Sequence, residues 1–215
     1  MTALSFSVLD VQPDPYAAAP ELIARLRIEE SSGAVVHAIA LRCQVRIEPQ
    51  RRRYTDAEAD GLLDLFGPRE RWTSTLRNFL WMNATAMVQG FTESCEVNLP
   101  LPCTYDFEVS SSKYLNALER AGSTVPIEFL FSGTIFTKGD SGFSVAQVPW
   151  DRQAPYDLPV AVWKSLVQAH FPNAGWVRLD HETIAALARF KSERGLISMD
   201  GAVNELLSRT GEVIV

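Results

Sequence analysis

Cys95-Glu96-Val97-Asn98-Leu99-Pro100-Leu101-Pro102-Cys103-Thr104-Tyr105-Asp106-Phe107-Glu108-Val109 alternates without a break. Every odd position is apolar or aromatic, and every even position is polar or proline. A period of two held for this length predicts a β-strand with one buried face. Pro100 and Pro102 fall on the outward face. Lacking N–H groups, they predict a sheet edge or a break in the strand.

The same signal recurs on either side. Leu22, Ala24, Leu26 and Ile28 alternate with Ile23, Arg25, Arg27 and Glu29, and Ser31-Ser32-Gly33 reads as a turn. Beyond it Val35, Ile39, Leu41, Cys43, Val45 and Ile47 occupy odd positions up to Pro49. Together these predict an antiparallel hairpin. Val125 to Thr137 is apolar on both faces around Phe129-Leu130-Phe131, the pattern of a central strand. Lys138 to Gly142 turns it into a second hairpin partner, Phe143–Val148. Gly133, inside the central strand, predicts a bulge or a close backbone approach.

Helical signals are fewer and more local. Thr55 and Glu58 have capping-box spacing, Ala59, Leu62, Leu63 and Phe66 form one stripe, and Gly67-Pro68 stops the helix. Residues 69–82 fit either a helix, with Trp72, Leu76, Phe79 and Leu80 on one side, or a strand. The last third shifts to a helical period over 158–170, 181–194 and 201–210, with Asp180 and Asp200 as caps. Strands first and helices last predict an α+β fold, a mainly antiparallel curved sheet or sandwich with C-terminal helices. The expected organisation is one domain, 1–215: mostly β up to 150 with a helix near 55–66, and helical over 151–215.

At 215 residues, 47% of them hydrophobic, the chain is long enough to bury a substantial core. Its formal net charge of -6 is opposite to that of a generic nucleic-acid binder, so no nucleic-acid partner is expected. No apolar run approaches the ~20 residues of a spanning helix, so no membrane insertion is expected. The first residues lack the basic and apolar regions of a signal peptide, and three cysteines are too few for a disulfide framework. A cytoplasmic protein is the resulting expectation.

Catalytic signatures are missing. Cys95 and Cys103 lack the short spacing of zinc knuckles, and His37, His170 and His181 form no paired ligand motif. Cys43, Cys95 and Cys103 all fall on apolar strand faces, which predicts buried thiols, neither ligands nor a disulfide. There is no glycine-rich phosphate loop and no nucleophile elbow, so no catalytic residue, metal ligand or cofactor is assigned. Asp106 and Glu108 share an outward face and read as solubilising. Arg51-Arg52-Arg53-Tyr54 with Arg42 and Arg46 reads either as a solvated run paired with Asp56, Glu58 and Asp60, or as a patch for a protein partner. A second functional reading, an enzyme or small-molecule binder, would place a pocket between sheet and C-terminal helices at Tyr105, Asp106, Trp163 and His170. Trp81, Trp150, Trp163 and Trp176 stand at element ends, where a large ring seals a core or makes an interface.

Several stretches taken together carry a family resemblance: Ala40 to Pro49, Arg51 to Tyr54, Asp64 to Gly67, Leu101 to Glu108, Phe129 to Phe136, Leu158 to Trp163, and His170-Phe171-Pro172. Over about Phe6 to Leu207 the chain resembles an uncharacterised bacterial family encoded beside uptake nickel–iron hydrogenase genes. The resemblance implies a role near hydrogenase assembly or use; together with the missing catalytic signatures it gives the expectation of a non-enzymatic accessory or protein-interaction factor whose partner is a hydrogenase subunit or maturation factor, and a homo-oligomer is compatible with it. In its order of strands, a helix ending at Phe171-Pro172 and a further helix, the chain also resembles the export chaperone SecB. On that outline residues 50–125 are an insertion between directly paired strands.

Overall fold

The computed structural model describes residues 3–104, 109–118, 122–139, 142–172, 174 and 177–210. The chain forms two compact units, Met1–Trp176 and Val177–Val215. The division therefore falls beyond the change of character expected near Trp150.

Among the described residues the first unit holds eight strands: β1 (Leu4–Pro13), β2 (Glu21–Glu30), β3 (Val36–Ile47), β4 (Phe79–Phe91), β5 (Ser94–Pro102), β6 (Thr124–Gly139), β7 (Gly142–Gln147) and β8 (Gln153–Pro159). A three-stranded sheet runs β1-β2-β5; a five-stranded sheet runs β4-β3-β6-β7, with β8 also pairing β6. All pairings are antiparallel. The inner faces of the two sheets share one core, and the Phe6 ring of β1 stacks on Phe131 of β6 at 4.4 Å. The arrangement is the expected α+β fold in its sandwich form.

β5 is the edge strand its prolines predicted. Leu99 and Leu101 are buried, while Glu96, Asn98, Pro100 and Pro102 are exposed. The strand ends at Pro102 rather than near Val109, and Tyr105 to Glu108 lie outside the described residues. β6 is central, and the hairpin from β6 to β7 forms as expected, Gly139 opposite Gly142. Gly133, at φ +141, lets β6 approach β3 so closely that a Cβ there would stand 2.1 Å from the Ala40 carbonyl oxygen.

The hairpin expected over residues 22–47 does not form. β2 pairs with β1 and β5, while β3 pairs with β4 and β6, so residues 31–35 carry the chain from one sheet to the other. Glu30 holds this crossover: its buried carboxylate accepts the Ala3 N–H (2.8 Å), the Ala34 N–H (3.0 Å) and the Ser32 hydroxyl. These bonds, the Ser32 hydroxyl foremost, hold its pKa down at about 2.

Helices α1 (Asp56–Gly61), α2 (Leu63–Phe66), α3 (Trp72–Thr75), α4 (Ser110–Asn116) and α5 (Val160–His170) add Leu62, Phe66, Tyr114, Leu115, Trp163 and Leu166 to the core. The Thr55/Glu58 capping box is present in both directions, and Gly67 takes φ +71 where the helix stops. Residues 69–82 divide between both readings: helical turns up to Thr75, then β4 from Phe79. The stretch expected to be helical from 151 opens instead with β8, where Ala154 and Leu158 are buried and Pro155 is exposed. Trp81 and Trp163 seal the core edge to face at 6.2 Å, whereas Trp150 is 93% exposed and Trp176 lies outside the described residues.

The second unit is a helical pair, α6 (His181–Glu193) and α7 (Met199–Thr210). Asp180 stands at the α6 N-cap position but its side chain makes no capping hydrogen bond, and at the start of α7 it is Ser198, rather than Asp200, whose Oγ accepts the Gly201 N–H. No helix of the described residues is long and apolar enough to cross a membrane.

Candidate functional site

Register fixes which side chains share the outer face of the five-stranded sheet. Arg42, Gln44 and Arg46 of β3 lie opposite Thr85, Asn83 and Leu80 of β4 and opposite Ser132, Leu130 and Glu128 of β6. Toward the crossover end, Ala40 lies beside Met87 and Ala38 beside Phe136, which pairs with Val145 of β7. Met87 is 67% exposed, Val145 60% and Leu80 49%. The face is therefore an arginine-bearing centre flanked by exposed apolar side chains. Methionine, arginine and aliphatic groups in this mixture are the composition of protein-binding surfaces.

The expected arginine patch is divided by the fold. Arg42 and Arg53 are exposed, and Arg46 donates to Gln44 at 3.3 Å. Arg51 is ion-paired with Glu48, and that hydrogen bond raises its pKa. Glu128, on the same face, has its pKa raised by partial burial and by Glu48, while Arg46 and Arg51 oppose the shift. Glu48 thus balances the charge of Arg51, while Arg46 stands opposite Glu128 across the ladder.

Arg52 and Tyr54 have left the surface. Arg52 donates to Glu58 at 2.9 Å, with side chains only 8% and 1% exposed, and its guanidinium lies 4.9 Å from the Tyr54 ring centroid. Tyr54 donates to the Pro49 carbonyl at 2.8 Å and shares a 2.8 Å hydrogen bond with the Tyr114 hydroxyl. Burial raises the pKa of both phenols. Because Glu58 also closes the capping box of α1, the whole cluster serves to anchor that helix. Nothing in a run of three arginines marks which one turns inward; the nearest signal is Glu58, already committed to the cap.

The expected pocket residues are not drawn together. Tyr105 and Asp106 lie outside the described residues. Trp163 is buried and donates Nε1 to Asn116 at 3.1 Å; His170 Nδ1 lies 3.1 Å from the Leu166 carbonyl of its own helix. A groove of about 260 Å³ between α4 and α5 is lined by Leu115, Asn116, Trp163, Lys164, Val167 and Gln168, without His170. A more polar groove of about 440 Å³, lined in part by Asp10, Asp14, Arg25 and Asn98, lies over the outer side of the three-stranded sheet. Its carboxylates are occupied locally: Asp10 accepts from Val11 N–H and Gln12, Asp14 from Tyr16 N–H.

The thiols follow their strands in part. Cys43 is buried, and burial pushes its pKa up to about 12; the same cause takes Cys103, half-buried as a residue, to about 12. Cys95 is half-buried rather than buried, being on the edge strand β5, and its pKa is raised less. Among the described residues no group of three or more potential ligands is placed to hold a metal ion.

The sequence matches a family of unknown function, DUF6084, over residues 1–214. No curated protein matches the chain. Among solved structures, it is similar to the ApaA protein from Bordetella pertussis, at 12% identity over 74% of this chain and 94% of that one, with a TM-score of 0.30. It is likewise similar to the CARDB domain of the PF1109 protein from Pyrococcus furiosus, at 10% identity over 74% and 92%, with a TM-score of 0.28. Likeness at this level carries no functional argument.

Proposed function

The chain belongs to DUF6084, a family of unknown function, and from that premise we propose that it is a non-enzymatic interaction protein that receives its partner on the outer face of the five-stranded sheet. The observation that carries this reading is the exposure of Met87, Val145 and Leu80 around Arg42 on one continuous sheet surface. Solvated sheet faces alternate apolar-in and polar-out, so large apolar side chains on the outer side are the departure that calls for a partner. The opposite outer face is the contrast, with Ser5, Ser7, Arg25, Arg27, Glu29 and Glu96 exposed and Arg27 ion-paired to Glu96 at 2.8 Å.

The partner in this proposal is a subunit or maturation factor of a nickel–iron hydrogenase, the association implied by the sequence resemblance. The accessory role is supported by the use of buried polar groups in holding the fold: Glu30 at the crossover, and Glu58, Tyr54 and Tyr114 beneath α1, with Arg52 bonded to Glu58 through Nη2. The test is affinity capture from hydrogenase-producing cells with the native chain and with Met87→Glu/Val145→Glu, both checked for unchanged circular dichroism. Recovery of a hydrogenase protein by the native chain and its loss with the variant is the expected result. Recovery of no such protein would overturn the pathway assignment; equal recovery by the variant would overturn the assignment of the face.

A further inference from the structure

The second unit is too small to bury its own apolar residues. Among its described residues only Ala202 is buried. Folded chains of fewer than about 40 residues usually need a disulfide, a metal or an oligomer to stand. On α6, Ile184, Leu187 and Ala188 follow i, i+3, i+4; on α7, Met199, Val203 and Leu206 follow i, i+4, i+7. Each helix thus carries a stripe meant for burial, yet Ile184 is 43% exposed and Met199, Val203 and Leu206 are comparably open.

Three charged groups of the pair satisfy one another. Glu205 accepts from Arg194 at 3.1 Å and from Arg209 at 3.0 Å, and both guanidinium groups lie over the Phe190 ring. Ahead of α6, Val177-Arg178-Leu179-Asp180 is non-helical, alternates apolar with charged, and belongs to no sheet among the described residues. Val177 and Leu179 are both exposed.

We propose that this unit dimerises with a second copy of the chain. The segment 177–180 pairs antiparallel with its two-fold mate, and the stripes of α6 and α7 close over the same axis. An isologous interface needs a patch that complements itself, and an apolar stripe beside the non-helical segment 177–180 does so. Charge fits the same occupant: Arg194, Glu205 and Arg209 already satisfy one another, and the exposed Arg178 and Asp180 of the segment carry opposite charges, which an antiparallel mate centred on Leu179 sets opposite each other.

The area fits as well. Val177, Leu179, Ile184, Met199, Val203 and Leu206 expose on the order of 500 Å² per copy, and a standard interface takes roughly 800 Å² per partner, of which about 60% is apolar. The six side chains therefore supply about the apolar share that one side of a stable dimer requires.

The test is the mass of the full chain by sedimentation equilibrium across a concentration series, for the native protein, Ile184→Glu and Val203→Glu. Both positions are part-exposed, so each variant should keep its helices, which far-ultraviolet circular dichroism checks. Dimer mass for the native chain and monomer mass for both variants at the same concentrations is the expected result. A native chain that stays monomeric at every concentration, or a dimer that survives both substitutions, overturns the proposal. The measurement uses purified protein alone, so its failure is separable from that of the hydrogenase reading.

Discussion

Glu58→Ala should be among the most damaging single substitutions in the first unit. It removes the carboxylate that receives Arg52 at 2.9 Å, with side chains only 8% and 1% exposed. Breaking a buried ion pair by deleting one member costs about 3–5 kcal/mol, because the remaining charge is left without compensation. The same carboxylate accepts the Thr55 N–H at 3.1 Å, and an orphaned cap donor adds ~1 kcal/mol. With a total near 4–6 kcal/mol, and about 2–4 °C per kcal/mol for a domain of this size, the thermal midpoint should fall by roughly 8–24 °C. Thermal unfolding followed by tryptophan fluorescence reads it directly, since Trp81 and Trp163 are buried. Arg52→Met/Glu58→Leu is the discriminating variant: removing both charges together should recover all but ~1–2 kcal/mol, the cap remaining lost. If Glu58→Ala costs less than ~1 kcal/mol, or the double variant costs the sum of its singles, the pair is not the anchor of α1 described above.

Gly133→Ala should destabilise by at least ~2 kcal/mol, since φ +141 is strained for any side chain and the new Cβ would meet the Ala40 carbonyl at 2.1 Å; thermal unfolding checks it. Glu30, with its pKa lowered from 4.5 to about 2, contributes stability that is full above pH 4.5 and lost as pH falls toward 2; Glu30→Gln should flatten that acid limb and lower the plateau at neutral pH. A disulfide-exchange reagent at pH 8 should label Cys95 first, with Cys43 and Cys103 protected by burial and by thiol pKa values near 12 until denaturant is added; labelling of Cys43 as fast as Cys95 in native protein would contradict the packing.

Much of the sandwich was legible because period-2 alternation reports faces. It told which side of β2, β3 and β5 turns inward, and the prolines of β5 told that it lies at an edge. Alternation is silent on partners, which is why β2 and β3 read as a hairpin although Ser31-Ser32-Gly33 takes the chain between sheets. β1 escaped notice for a different reason: the irregularity between Val8 and Asp10 shifts the register, so Phe6 and Val11 both face inward five positions apart. In the site, Arg42 and Arg46 could be placed on an outer face from the β3 pattern alone. The apolar half of that surface could not, because Met87 and Val145 reach it through strand order, which no local pattern contains. Arg52 and Tyr54 left the expected patch because helix packing, not strand periodicity, decides their burial.

The pairing of β3 with β6 has a consequence for biosynthesis. Val45 stands opposite Phe129, so the central ladder of the larger sheet cannot close until more than 80 residues after β3 have been made. β2 waits similarly for β5. At about 5–20 residues per second, the interval between β3 and β6 lasts on the order of 4–17 s. Through it β3 offers Leu41, Cys43, Val45 and Ile47 to whatever is nearby, with only the β4 side of its backbone able to pair. The nascent chain is therefore most adhesive midway through translation, and the emergence of Phe129-Leu130-Phe131 is the moment at which that exposure ends.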